Sequence, residues 1–452
     1  MRIAEYFQLE AHGTTVRREV LGGVTTFLAM SYIIFVNPGV LSQAGMDFRA
    51  VMVATCLSAA LATFLMGILA NYPVALAPGM GENFFFVFTL SAAAPLGFGL
   101  TWQQALAAVL VAGLFFIALT LSGIRSKIID SIPDSLKVGI AAGIGLFITL
   151  IGLEYGNLIV SSPATLVRLG DFRHPVALVS VLGLLVMIVL LAYRIRGAIL
   201  VGILATTMMA AALGMVHYRG AVSADLQLAP TFWKFDLLGL LKMNPAVLAT
   251  SVFVLLYLAL FDTVGTLVGV GQQAGLLIEG KLPRSGRALF ADAAGTTIGA
   301  AVGTSTITCY IESAAGVSDG ARTGLANMVT GALLLLAIFF SPLASMIGGG
   351  VAVGNDTAGH PILRYPTLAP ALIVVGAMML KIVKELKWDD PTEYLPAFLT
   401  LVGIPLTFSV ASGIAFGFIS YAVAKLATGR GRECPALTYV FALLFVVQFI
   451  LV

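Results

Sequence analysis

Apolar residues along this chain recur in long runs, without the three-to-four or alternating spacing of surface helices and half-buried strands. Ala177 to Leu191, Ala198 to Leu213 and Met328 to Phe340 carry no charged side chain. A hydrocarbon layer about 30 Å thick takes roughly 20 such residues per helical crossing. On that measure the first half predicts segments at 19–41, 48–70, 74–92, 102–122, 135–153, 174–193 and 197–216. The second half predicts segments at 245–268, 287–302, 309–320, 325–347, 369–384, 393–409 and 411–427. The expected architecture is therefore an all-α polytopic membrane protein of fourteen transmembrane segments. A last apolar stretch, Pro435 to Val452, fits either an interfacial helix or a fifteenth crossing.

Composition agrees: 59% of residues are hydrophobic and 10% are charged, against about 25% charged in soluble domains. Met1 to Arg18 is polar and mixed in charge, unlike a secretory signal peptide. Cys56, Cys309 and Cys434 form no spacing motif for a disulfide framework or a metal. With the N-terminus inside, only Arg49, Arg168, Arg173, Arg219, Lys234, Lys242 and Arg364 of the 25 basic residues fall on the outer side. The others, Arg125, Lys127, Lys281, Arg322 and Lys425 among them, face the cytoplasm, as the positive-inside rule requires. Both termini are thus expected in the cytoplasm, with the chain in the inner (plasma) membrane and the lipid bilayer as its partner. Inward-facing loops account for the net charge of +3, and no nucleic acid is implied.

An internal repeat is expected. A shift of 230 residues lays Ser42-Gln43-Ala44-Gly45 on Gln272-Gln273-Ala274-Gly275, and Glu82 on Glu312. Seven segments per half is an odd number, so the halves sit inverted (a 7+7 inverted repeat). Inverted repeats belong to alternating-access carriers whose sites lie at the midplane between discontinuous helices.

Two stretches break the helical pattern at corresponding places, Asn71 to Phe86 and Gly303 to Ser313. Each reads as a short strand piece, in segments 3 and 10, followed by a half-helix. The half-helix N-termini are expected to present free N–H groups to a polar ligand. Intramembrane carboxylates accompany them: Asp262 within segment 8, Asp292 in segment 9, Glu82 and Glu312 just after the breaks. A charge at the bilayer centre costs about 2.5–3.5 kcal/mol on the insertion scale, so such groups normally face a cavity and serve ligands or protons. No basic residue lies within segments 3, 8 or 10 to neutralise them. His12, His174, His217 and His360 fall in the tail, loops or span ends. With no metal-binding helix, nucleophile elbow or phosphate loop, the chain does not read as an enzyme, and no cofactor beyond a co-transported proton is expected.

At these residues the chain resembles the nucleobase:cation symporter-2 family, specifically its adenine–guanine–hypoxanthine permease branch. The resemblance rests on Thr25 to Pro38, Ala75 to Gly81, Phe261 to Val270 and Gly303 to Gly316, and covers nearly the whole chain. It implies a core domain from residues 1–122 (segments 1–4) and 243–347 (segments 8–11). A gate domain would comprise 123–242 (segments 5–7) and 348–430 (segments 12–14), with 431–452 as a C-terminal apolar segment. It further implies a purine base held by Asp262, Glu312, Asn83, Phe84, Thr266, Tyr310 and Glu82. Proton coupling would fall to Asp262 and Glu312, supported by Asp292. Two positions depart from the branch: Ala259 stands where an acid is expected, and Glu82 where an apolar residue is expected. Glu82 is therefore expected to assume part of the missing acid's role.

The main expectation is proton-driven import of hypoxanthine, guanine or adenine. Sodium coupling, an anion carrier of the same architecture and a channel are the alternatives. The resemblance allows a homodimer through the gate domain, and no sequence feature selects it.

Overall fold

The computed structural model describes residues 3–91, 97–122, 133–162, 165–216, 218, 220–224, 226–276, 282–355 and 361–451. Arg125, Lys127, Lys281, Arg219, His217 and His360 lie outside the described residues. The expected apolar runs are helices. In the first half they are α1 (Val16–Met30), α2 (Ile33–Leu41), α3 (Phe48–Leu65), strand β1 (Leu76–Pro78), α4 (Met80–Phe85) and α5 (Trp102–Leu121). There follow α6 (Asp134–Tyr155), strands β2 (Ile159–Ser162) and β3 (Leu166–Leu169), α7 (Pro175–Ala192) and α8 (Ala198–Ala212). The second half holds α9 (Pro245–Gln273), α10 (Ser285–Val302), β4 (Ile307–Cys309), α11 (Ser313–Ser318) and α12 (Gly324–Ala337). It continues with β5 (Val351–Asn355), β6 (Pro361–Arg364), α13 (Ala369–Met379), α14 (Pro391–Thr407), α15 (Val410–Ala427) and α16 (Ala436–Leu451).

By length and composition, 8 helical stretches among the described residues are long and apolar enough to cross a membrane. The strand pieces form where the Pro/Gly breaks predicted them. The hairpins β2–β3 and β5–β6 were not expected; both are short, and β3 is exposed throughout.

The helices pack as two bodies. In one, α1–α5 pack with α9–α12; in the other, α6–α8 pack with α13–α16. Small residues permit the close crossings, as in many membrane helices. A Cβ on Gly316 of α11 would collide with the Gly22 carbonyl of α1, so only glycine allows this half-helix to lie so near. α1 and α2 form one apolar run interrupted at Ser31 and Tyr32, and Pro38 further withdraws a donor inside α2.

Two of the basic residues expected on the cytoplasmic side are buried or bonded. Lys425 has a side chain only 1% exposed and pairs with Glu393 at 2.7 Å. The Arg322 guanidinium donates to the carbonyls of Val317 and Ala321, both at 2.6 Å, closing the end of α11. Next to it the buried Glu19 carboxylate accepts from the backbone N–H groups of Arg322 (2.8 Å), Thr323 (3.3 Å) and Ala326 (3.2 Å). Glu19 thereby satisfies orphan donors at the start of α12.

Candidate functional site

β1 and β4 pair antiparallel, Leu76 opposite Cys309, Ala77 opposite Thr308 and Pro78 opposite Ile307. A two-stranded ribbon inside an apolar body leaves outward-facing backbone groups that water cannot reach, and each must find a partner. Side chains from neighbouring helices supply them. Thr63 bonds both the N–H (2.9 Å) and the carbonyl (3.1 Å) of Leu76. Thr296 donates to the Ile307 carbonyl at 2.9 Å, and Asn327 to the Val74 carbonyl at 2.7 Å. Ser313 accepts from the Ala75 N–H at 3.0 Å. These polar residues hold the irregular backbone in place.

The two half-helices do not superpose their acids as the 230-residue shift implied. Glu82 is the third residue of α4, whereas Glu312 precedes the first residue of α11. Nor does α11 present a row of free donors. The N–H groups of Ser313, Ala314 and Ala315 are taken by the carbonyls of Tyr310, Ile311 and Glu312 in tight turns. The expected row of free N–H groups is therefore not found at the start of α11.

Asp262 Oδ2 accepts from the Thr308 hydroxyl at 3.0 Å, which ties α9 to the middle of β4. Glu312 Oε1 accepts from the Tyr32 hydroxyl at 2.6 Å, delivered by the break between α1 and α2. The Tyr32 and Tyr310 rings lie 6.4 Å apart, and the Tyr310 hydroxyl donates to the Pro78 carbonyl at 2.6 Å. Asp262, Glu312, Tyr310, Tyr32 and Thr308 thus converge on the strand pair. Asp292 is buried one layer behind, accepting from Thr263, the neighbour of Asp262.

Glu82 is 1% exposed, and its carboxylate turns back over Gly79, where a side chain would collide with it. One of its oxygens, Oε1, accepts no hydrogen bond among the described residues. Asn83 accepts from the Ser305 hydroxyl, and Phe84 is stacked on Phe88 with centroids 6.0 Å apart. Asn83, Phe84 and Thr266 are all buried, so these three expected ligands have no open surface in this conformation. Tyr32 and Thr308 were not singled out from sequence. A tyrosine or threonine in an apolar run carries no signal comparable with a carboxylate there.

One face of α9 changes character at Asp262. Ser251, Leu255 and Leu258 are buried, whereas Asp262, Gly265, Gly269 and Gln273, on the same face, are exposed. A side chain added at Gly265 would meet nothing within 4 Å, and one at Gly269 only the exposed Ile311 at 3.8 Å. Asp262 thus stands where this face of α9 passes from buried to exposed. Phe84, Phe88, Phe147 and Phe408 form an aromatic cluster, with Phe147 and Phe408 centroids 5.3 Å apart. Phe408 holds a left-handed backbone (φ 51°) at the end of α14.

Residues 17–416 match the xanthine–uracil permease model, described as Permease family. The chain belongs to the nucleobase:cation symporter-2 family. Such a chain is a transporter and not an enzyme, and its apolar spans make it a multi-pass membrane protein. Relatives similar to it over nearly their whole length include a putative permease of Methanocaldococcus jannaschii, 46% identical over 99% of this chain and 98% of the relative. The adenine permease AdeP of Escherichia coli is 44% identical, over 99% of this chain and 95% of its own. The guanine/hypoxanthine permease PbuG of Bacillus subtilis is 41% identical, over 98% and 99%. Among solved structures, the fold of this chain is similar to the transmembrane domain of the cyanobacterial bicarbonate transporter BicA. The TM-score is 0.64 at 17% identity, over 88% of this chain and 97% of that one. SLC26A9 gives 0.61 at 11% identity, over 91% of this chain and 66% of that one.

Proposed function

We propose that this symporter imports a purine base, hypoxanthine, guanine or adenine, together with a proton by alternating access. The observation that carries the reading is the convergence of Asp262 and Glu312 on the strand pair, with Asp262 where α9 becomes exposed. Neither acid has a basic partner among the described residues. A purine presents ring N–H donors on more than one edge, and two carboxylates on facing elements match that pattern. Each retains an oxygen beyond the one engaged by Thr308 or Tyr32.

In this reading Asp262 takes the proton, Glu312 binds the base, and Asp292 supports Asp262 through the neighbouring Thr263. Tyr310 holds β1 against the start of α11. Asn83, Phe84 and Thr266 meet the base in another conformation of the alternating-access cycle. Glu82, buried with an oxygen to spare, shares the coupling role of the acid absent at Ala259. The body of α1–α5 and α9–α12 acts as the core and that of α6–α8 and α13–α16 as the gate, in fourteen segments arranged as a 7+7 inverted repeat.

The permease relatives named for adenine and for guanine/hypoxanthine support the purine class. An anion carrier draws support from the fold likeness to BicA and SLC26A9, but acids at the site repel an anion. The test is uptake of radiolabelled hypoxanthine, guanine, adenine, xanthine and uracil into cells expressing the chain. Accumulation of at least one purine in preference to uracil is expected. Well-expressed protein that accumulates none of them contradicts the purine reading.

A further inference from the structure

An ion pair joins the two bodies. Arg196 Nη2 lies 2.6 Å from Asp319 Oδ1. Arg196 belongs to the turn between α7 and α8 in the gate body, and Asp319 follows α11 in the core body. By contrast, the pairs of Arg364 with Glu154, Lys425 with Glu393 and Arg430 with Asp390 all stay within the gate body.

Each partner is held by its own body independently of the pair. The chain leaves α7 through Arg194 (φ 54°) and enters α8 through Gly197 (φ 67°), both left-handed. The N–H groups of Arg194 and Ile195 donate to the carbonyls of Leu191 (2.9 Å) and Leu190 (3.0 Å), which fixes the turn. Gly197 rests on α1: a Cβ there would come within 3.1 Å of the Leu28 Cβ. One helical turn earlier on α1, Thr25 donates to Asp319 Oδ2 at 2.6 Å. The Asp319 N–H donates to the carbonyls of Ala315 and Gly316, at 3.2 and 3.1 Å. Asp319 therefore gives one carboxylate oxygen to each body. Its charge gains nothing from α11, because an acid at the C-terminal end of a helix meets the negative end of the peptide dipoles.

The pair sits at the end of the core body where α9 is exposed. Gln273, the last residue of the exposed face, donates to the Ser318 hydroxyl at 2.8 Å, and Ser318 adjoins Asp319. The end of α11 is thus tied to the exposed face of α9 on one side and to the gate turn on the other. Movement of one body past the other, as in alternating access, carries the turn along α1 and away from Thr25 and Asp319. We infer that Arg196 and Asp319 form an ionic latch between the bodies, which favours the conformation with α9 exposed from Asp262 to Gln273. The latch rests on the alternating access of the proposed function but not on the substrate.

The test places a reporter on that face, Gly265→Cys in the full-length chain, where an added side chain meets nothing within 4 Å. Cys56, Cys309 and Cys434 are buried, and the chain without Gly265→Cys gives the background. The protein is labelled in nanodiscs with a polar maleimide, with no base and no proton gradient. An exposed ion pair shifts an equilibrium by up to about fivefold, so Arg196→Ala should slow labelling by about twofold to fivefold. Asp319→Asn, which keeps an acceptor for Thr25, should slow it to the same extent. The double variant should label no more slowly than either single one, because both changes break one interaction. A rate in Arg196→Ala equal to or above the parent's overturns the latch, as do single effects that multiply in the double variant. The Arg196 side chain is 57% exposed, so its removal leaves the packing intact. Should Arg196→Ala still aggregate, Arg196→Gln takes its place with the same expected rates. Uptake tests the purine reading and labelling tests the latch, so failure of one stays separate from failure of the other.

Discussion

Thr308, at the centre of β4 and directly opposite Ala77 of β1, donates its hydroxyl to Asp262 of α9. A single hydrogen bond thus joins the carboxylate proposed to carry the proton to the strand pair proposed to frame the base. A bond to an ionised partner contributes about 1.5–3 kcal/mol. Thr308→Val keeps the shape and removes the donor, so KM for purine uptake should rise about tenfold or more, whereas Thr308→Ser should stay close to the parent. Equal KM values for the Val and Ser variants would remove Thr308 from the site.

Tyr32 and Glu312 invite a parallel test. Tyr32→Phe retains the buried ring and deletes the hydroxyl that holds Glu312 at 2.6 Å. Thermal stability should change little, while KM rises between about fivefold and fiftyfold, the range for loss of about 1–2.3 kcal/mol. A large fall in melting temperature with unchanged KM would make Tyr32 a packing residue only.

Much of this site can be read from sequence, for a simple reason. A carboxylate in an apolar run has no cheap structural explanation, so Asp262, Glu312, Glu82 and Asp292 stand out, and the Pro/Gly breaks locate both strand pieces. Tyr32 does not stand out, because its hydroxyl is bonded to a residue 280 positions away. The placement of α16 was equally hidden: Phe441, Phe445 and Phe253 look like any lipid-facing aromatics until the helices are packed. The ungapped shift misaligned Glu82 with Glu312 because the connections in the two halves differ in length by a few residues.

Glu19 offers a prediction about stability. It is fully buried and accepts three backbone N–H groups around the start of α12. Replacing it with Ala removes the acceptor of the Arg322 and Thr323 N–H groups, while Ala326 keeps a bond to the Thr323 carbonyl at 3.3 Å; the cost is about 1–3 kcal/mol for each donor left without water. Thermal unfolding of Glu19→Ala in detergent should begin well below that of the parent, and Glu19→Gln should recover part of the loss. Identical unfolding curves for Glu19→Ala and the parent would contradict this capping role.

The ion pairs around the turn before α16, Arg430 with Asp390 and Glu433 and Lys425 with Glu433, should not respond to pH over the range where transport is measured. The Thr392 hydroxyl and Arg430 hold Asp390 down to about 2, and Arg430 and Lys425 hold Glu433 down to about 2. Both folded values lie below the ordinary carboxylate range near 4. Their contribution is therefore complete above about pH 4 and is lost only as pH falls towards 2. Between pH 5 and 8 the pH profile of uptake should keep its shape in Asp390→Asn, even if its amplitude falls. A profile displaced by one pH unit or more would place the proton response in these ion pairs.

The most direct test of the central claim is purine accumulation in proteoliposomes with an imposed proton gradient, comparing the parent with Asp262→Asn. The parent should concentrate at least one purine only when the gradient is present and lose it on adding a proton ionophore. Asp262→Asn should no longer concentrate it. Gradient-dependent accumulation by Asp262→Asn equal to the parent, or accumulation by the parent that ignores the gradient, would contradict the account.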